Sequence, residues 1–263
     1  MNIQQVEQLR ILVIGDSCDD VYHYGTCDRL SPEAPIPVFK ESHIEVRPGM
    51  SANVVANLKS LGAHVSHASN RKKIEKHRYI DSRFNQHLLR VDTGEDGIVP
   101  SFDLQTILHH QFDAIVISDY NKGFLDAEMC RKICNYANEN DILLFVDSKK
   151  KDLSCFKNCY IKINENEYNS ACNIPKDSEL IITLGDKGAM YKNKTYPAKE
   201  VEVFDVCGAG DVFLSTFILF FLLTNDVNNA IIKANECATF SVSKMGTYIM
   251  TKKDLCEIGF YSE

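Results

Sequence analysis

The segment Asp205 to Asp211 reads Asp-Val-Cys-Gly-Ala-Gly-Asp and runs directly into an apolar stretch, Val212 to Leu223. Two glycines one residue apart let a backbone turn sharply and approach a ligand without interference from a Cβ. Where such a turn opens a helix, the amides of Gly208, Ala209 and Gly210 point from the positive end of the helix dipole. They make a cradle for a phosphate or for a developing phosphoryl charge. Asp211 stands at the rim of this cradle. A carboxylate beside an anion hole is electrostatically out of place unless it works as a base, taking a proton from an attacking hydroxyl. Read alone, the same residues could make a helix cap and an ordinary turn. Three further segments weigh against that. Thr183-Leu-Gly-Asp-Lys-Gly188 is a second glycine turn after an apolar run, Asn164 and Glu167 place an amide and a carboxylate one helical turn apart, and Asp16, Asp20 and Asn53 supply hydrogen-bonding groups of the kind that hold sugar hydroxyls.

These residues need elements to position them. Arg10–Gly15 is an apolar run ending in glycine, which reads as a buried parallel strand and a tight turn. Ser51 to Gly62 carries helical spacing with Gly62 as its stop. Strands are expected at 64–67, 114–118, 142–146, 160–163 and 180–183, and helices at 127–137, 211–223 and 227–243. The pairs 190–192 and 201–203 are expected as antiparallel edge strands. Repeated strand–helix alternation implies an α/β fold with a mostly parallel sheet covered on both faces. Ligands of such sheets sit beyond the carboxyl ends of the strands, where this chain places Asp16, Asp119, Asp147, Asn164 and Thr183. The proline-rich stretch 31–38 reads as extended edge strand and loop, and the polar segments 71–80 and 85–92 read as strand or lid.

Composition bounds the function. The chain has 263 residues, 29 Lys+Arg against 36 Asp+Glu and a formal net charge of −7. The length supports a full hydrophobic core without disulfides or metal. The acidic balance argues against nonspecific nucleic-acid binding. The apolar run Phe217 to Leu223 is too short to span a bilayer, and the polar N-terminus lacks the core of a signal peptide, so no membrane role and a cytoplasmic location are expected. Ten cysteines include two C-x3-C pairs, Cys130/Cys134 and Cys155/Cys159. That spacing is too loose for a zinc site, and reduced, mostly buried thiols are expected.

Taken with IGDSCDDVYHYG (14–25), RLSPEAPIPVFK (29–40), RPGMSANVVANLKSLGA (47–63), ISDYNKG (117–123) and KMGT (244–247), the motif at 205–211 resembles the D-T-x-G-A-G-D signature of the ribokinase-like sugar kinases, the PfkB family, with Val206 in the usual Thr place. Within the family the chain is most similar to the D-glycero-D-manno-heptose 7-phosphate kinases. The resemblance implies one ribokinase-like three-layer sandwich over residues 1–263, with lid strands within 17–46 and 76–92. It implies ATP and Mg²⁺, and a sugar phosphate as acceptor. Asp211 would be the general base, and Gly208, Ala209 and Gly210 the anion hole. Asn164 and Glu167 would hold phosphates and Mg²⁺, Glu167 largely through water. Thr183, Gly185, Gly188, Asn235 and Gly246 would border the nucleotide. Asp16, Asp20, Gly49 and Asn53 would grip the sugar hydroxyls, with Arg78 and Arg90 for the sugar's own phosphate. Pairing of two lids would make a homodimer.

The chain also departs from the family. Gly49-Met50 stands where the family has two glycines. Asn164 follows Ile163 instead of a proline. A block of strands and a helix is absent between Ala63 and Arg90. Two readings therefore stay open: a sugar-phosphate kinase, or a weakened or inactive relative that binds nucleotide or sugar phosphate. A nicotinamide dehydrogenase is excluded, because no G-x-G-x-x-G follows the first strand.

Overall fold

The computed structural model describes residues 3–99 and 111–260. Its frame is a sheet in which β1 (Arg10–Gly15) lies between β4 (His64–Ser69) and β7 (Ala114–Asp119). The sheet continues through β8 (Leu143–Ser148), β9 (Tyr160–Asn164) and β10 (Glu179–Thr183). All of these pair in parallel. β11 (Ala189–Tyr191) and β12 (Lys194–Tyr196) close one edge as an antiparallel hairpin.

Strand alternation builds two cores. Ile11, Val13, Ala114 and Val116 face one side, where they meet α2 (Ser51–Ser60), α5 (Ala209–Thr224) and α6 (Val227–Val242). Leu12, Ile14, Ile115 and Ile117 face the other, covered by α3 (Ala127–Glu139) and the 153–159 loop. Helix α5 is apolar all round and buried over Asp211 to Phe221, as expected of a helix enclosed by other elements. The remaining helices are short: α1 (Ile3–Val6), α4 (Glu165–Ser170) and α7 (Lys252–Glu257). This is the expected three-layer α/β sandwich.

A second, four-stranded sheet forms the lid, in the order β3-β2-β5-β6: β2 is Ser17–Leu30, β3 Pro37–Met50, β5 Glu75–Asp81 and β6 Gln86–Thr93. Its register separates two faces. Asp20, Tyr22, Arg47, Lys76, Arg78 and Arg90 share the inner face, whereas Val21, His23, Ile44, Val46, His77, Tyr79, Leu89 and Val91 share the outer one. Ile44, Val46, Leu89 and Val91 are solvent-exposed.

The segment after Ala63, expected to lack a block, has a simple structural form. Edge strand β4 passes through residues 70–74 directly into lid strand β5. Asn70 ties this passage down, accepting from the Ser17 amide at 2.6 Å and donating to the Ser17 carbonyl at 3.0 Å.

One expectation changes. Val201–Val203 is not a strand; the edge hairpin is β11–β12, turned at Lys192 and Asn193, both with positive φ. Two positive φ values match the twist of a two-residue hairpin. Cys130, Cys134, Cys155 and Cys159 are free and buried. The described residues contain no cluster of three or more His, Cys, Asp or Glu side chains placed to hold a metal ion.

Candidate active site

Helix α5 starts where the sequence placed its turn. Gly208 caps it in the left-handed conformation, φ 78°. A Cβ there would lie 2.8 Å from Asn53 Nδ2 and 3.0 Å from Thr247 Cγ2. At Gly210 a Cβ would lie 2.9 Å from Lys162 Nζ. Both glycines therefore make room for polar groups that crowd the start of the helix. Asp205 ties the turn to the 244–247 loop by accepting from the Cys207 amide at 2.9 Å and the Gly246 amide at 3.1 Å.

Two cavities meet at Asp211. The larger, about 330 Å³, is bordered by Asn164, Thr183, Gly185, Gly188, Gly208, Ala209, Gly210, Asn235, Asp147, Lys149 and Lys162. The smaller, about 170 Å³, lies under the lid between Cys18, Asp20, Met50, Lys76, Arg78, Arg90, Cys207 and Thr247. Tyr120, Gly208 and Asp211 border both.

Asp211 is buried, and its carboxyl is pushed up to about 6, first by burial and then by the nearby Asp147 charge; Asn53, Lys162 and Tyr120 pull the other way. Asn53 Nδ2 donates to Oδ2 at 2.9 Å, and the Tyr120 hydroxyl donates to Oδ1 at 3.0 Å. A carboxylate tuned towards neutrality in this way is suited to proton transfer at ordinary pH.

The larger cleft carries a chain of ion pairs across adjacent strand ends. Lys162 in β9 is buried and donates to Asp147 Oδ2 at 2.6 Å. Lys149 reaches both Asp147, at 3.5 Å, and Glu167. Burial works against ionisation of Asp147, but Lys162 and Lys149 outweigh it and hold the carboxyl below its ordinary value. Asn164 and Glu167 form a reciprocal cap on α4: Asn164 Oδ1 accepts from the Glu167 amide at 2.9 Å, and Glu167 Oε2 accepts from the Asn164 amide at 2.8 Å. Mg²⁺ takes one or two carboxylates, with water and phosphate oxygens completing its shell. Glu167, at the strand end beside Asn164 and paired with Lys149, is a carboxylate that fits that requirement.

Under the lid, Arg78 is buried and paired with Asp20 Oδ1, while Thr247 donates to Asp20 Oδ2 at 2.8 Å. Arg90 makes a two-pronged pair with Asp92, both contacts 2.7 Å. Lys76 lies 3.4 Å from Glu95. Met50 lines this pocket with φ 55°, a backbone conformation that favours glycine.

Not every expected residue reaches a cavity. Asp16 is fully buried, borders neither cavity and accepts from the amides of Lys122 and Phe124, each at 3.3 Å, which ties it to the turn after β7. Asn53 acts on Asp211 rather than on the lid pocket. Gly49 packs against Asp20 and Cys18, and Gly246 lies against Arg47 and Tyr22, away from the larger cleft. Sequence reasoning assigned no role to Lys162 and Tyr120. A lysine inside the apolar strand Tyr-Ile-Lys-Ile-Asn was the available signal for the first, because a buried ammonium needs a partner.

The model of the pfkB family carbohydrate kinase matches residues 101–254. Proteins named Bifunctional protein HldE are 33% identical in Campylobacter concisus (strain 13826), over 92% of this chain and 62% of that protein, and 30% identical in Campylobacter curvus (strain 525.92), over 92% and 63%. The chain thus spans less than two thirds of these relatives' length. Among solved structures, phosphofructokinase-2 from Escherichia coli superimposes with a TM-score of 0.74 at 14% identity, covering 95% of this chain and 98% of that one. Arabidopsis thaliana ribokinase complexed with ribose and ATP does so at 0.68 and 12%, covering 97% and 99%. With a helix-capping glycine turn, a buried carboxylate between two cavities and a family match over more than half its length, the chain belongs to the pfkB family of carbohydrate kinases.

Proposed function

We propose that the protein transfers the γ-phosphoryl group of ATP to a sugar phosphate, with D-glycero-D-manno-heptose 7-phosphate as acceptor at C1. The observation that carries this reading is the place of Asp211, at the meeting point of the cleft bordered by the Gly208–Gly210 turn and a pocket lined by Lys76, Arg78 and Arg90. ATP would lie in the larger cleft between Thr183, Gly185, Gly188 and Asn235, with its terminal phosphate at the amides of Gly208 to Gly210. Lys162, beside Gly210, adds a positive charge where the transferring group gathers negative charge. Asn164 and Glu167 would hold Mg²⁺, which neutralises phosphate charge when bound. The acceptor hydroxyl gives its proton to Asp211 as its oxygen bonds to phosphorus. The bond from phosphorus to the bridging oxygen breaks, and ADP leaves. Arg78 and Arg90 would turn from Asp20 and Asp92 to the sugar's phosphate, a group that suits their paired donors. The location is cytoplasmic on this reading, and the exposed outer lid face pairs with a second copy.

The choice of a heptose rests on the resemblance of 29–40 and 47–63 to heptose kinases, not on pocket geometry. A second reading, a nucleotide-binding relative without transfer activity, is favoured by one observation: Met50 intrudes into a pocket of only about 170 Å³. Incubation with ATP, Mg²⁺ and heptose 7-phosphate, followed by phosphorus NMR, separates them. A new anomeric phosphate with matching ADP supports the kinase. Thermal stabilisation by ATP without product supports the second reading.

A further inference from the structure

We propose that Tyr120 is a positioning residue for Asp211, fixing which carboxylate lone pair is left to take the acceptor's proton; this rests on the kinase reading above. Tyr120 is the first residue after β7, and its ring borders both cavities. Its hydroxyl donates to Asp211 Oδ1 at 3.0 Å, while Asn53 in α2 donates to Oδ2 at 2.9 Å. Each oxygen is thus gripped from a different element. The carboxylate cannot rotate without giving up both bonds.

Both grips are themselves held. Asn57 Nδ2 donates to the Asn53 carbonyl at 2.9 Å and to Asn53 Oδ1 at 3.1 Å, which leaves the Asn53 amide nitrogen facing Asp211. Asn57 Oδ1 accepts from the Met250 amide at 2.8 Å. On the other side, Lys149 Nζ lies over the Tyr120 ring, 5.3 Å from its centroid. A chain of contacts from α2 and from β8 therefore ends on one carboxylate.

The electrostatics agree with the geometry. Burial and Asp147 favour the protonated acid, and Asn53, Lys162 and Tyr120 favour the carboxylate. Cys18 and Lys149 also face this group. Burial, and then Asp211, raises the Tyr120 phenol well above its ordinary value, so it stays a donor wherever Asp211 titrates. A phenol that merely filled the junction would be matched by phenylalanine.

The test is Tyr120→Phe, which keeps the ring. Two quantities are followed between about pH 5 and about pH 9: kcat with ATP, Mg²⁺ and heptose 7-phosphate, and the carboxyl carbon signal of Asp211 in aspartate-labelled protein, identified by its loss in Asp211→Asn. Loss of one hydrogen bond to a charged group should move both midpoints up by about one pH unit, with kcat falling roughly five-fold near pH 6 and the KM for ATP staying within about two-fold. A uniform fall in kcat at every pH, or an unmoved Asp211 midpoint, overturns the proposal. If the unmodified protein transfers no phosphate but the carboxyl midpoint still moves, the kinase reading fails: the hydrogen bond then tunes a structural carboxylate, and the positioning role falls with the reaction.

Discussion

An Asp211→Asn substitution removes a buried charge whose cost can be followed with pH. Asp211 titrates near 6 instead of 3.8, chiefly because burial penalises its ionised form. The folded state therefore keeps a proton that the unfolded chain has already released. Stability from this group is fully present below the unfolded value and is lost as pH rises through 6. A displacement of that size is worth about 3 kcal/mol. Asparagine has no proton to lose. Its Oδ1 can still accept from Asn53, and its Nδ2 can donate to the Tyr120 hydroxyl. Some strength is lost with the charge, so a net gain of about 1–2 kcal/mol near pH 8 is expected, or about 3–6 °C in Tm for a domain of this size. Thermal unfolding of both proteins at several pH values reads the difference directly. The gap should be near zero around pH 5 and fully open around pH 8. His67, which burial holds down to about 4, destabilises the fold as pH falls below 6.5, but it is common to both proteins and cancels. A gap independent of pH, or a variant less stable near pH 8 than near pH 5 relative to its parent, would refute the reasoning. On the proposed mechanism the same variant should lose about 10²–10⁴-fold in kcat with ATP binding retained.

Four other outcomes are expected. Lys162→Met should leave Asp147 buried without its nearest cation, costing about 3–5 kcal/mol in denaturant unfolding. Gly208→Ala should cost about 1–3 kcal/mol and lower kcat, since its Cβ would press on Asn53 and Thr247. Met50→Gly should relieve a positive φ while losing buried side-chain area, leaving Tm within a few degrees; in steady-state kinetics it should lower the KM for the acceptor by opening the lid pocket. Val46→Glu on the outer lid face should leave the secondary structure intact and yield a monomer by light scattering, if lids pair in the parent.

Strands β1, β7, β8 and β9 are largely buried on both faces, so each reads as an apolar run closed by a polar residue, and Asp119, Asp147 and Asn164 mark those ends, as Thr183 marks the end of β10. The anion turn was legible because few residue types tolerate its backbone. What escaped was decided across the sheet. Lys162 and Asp147 belong to different strands, and only parallel pairing, with Asp147 opposite Lys162, turns two isolated charges into a pair. Asp16 is legible as a polar strand end, but its bonds to two amides from the turn after β7 join segments more than a hundred residues apart and leave no local signal. Val-Glu-Val at 201–203 has strand-like alternation but no neighbouring edge, whereas Lys192-Asn193 lacks a glycine and hid the true hairpin.

The two-faced lid has a consequence for how this chain could have been shortened. Strand β5 alternates between Arg78, which faces Asp20, and Tyr79, which faces outward. Displacing its pairing with β2 by one residue would send every inward cation to the solvent side. A deletion upstream is thus constrained by parity as well as by length. Residues 71–73 of the connecting loop are exposed and free to vary in number, but the strand that follows must re-enter in phase. The bonds from Asn70 to Ser17 and from the Asp19 amide to the Ile74 carbonyl, the latter 2.9 Å, bracket that re-entry and fix the phase.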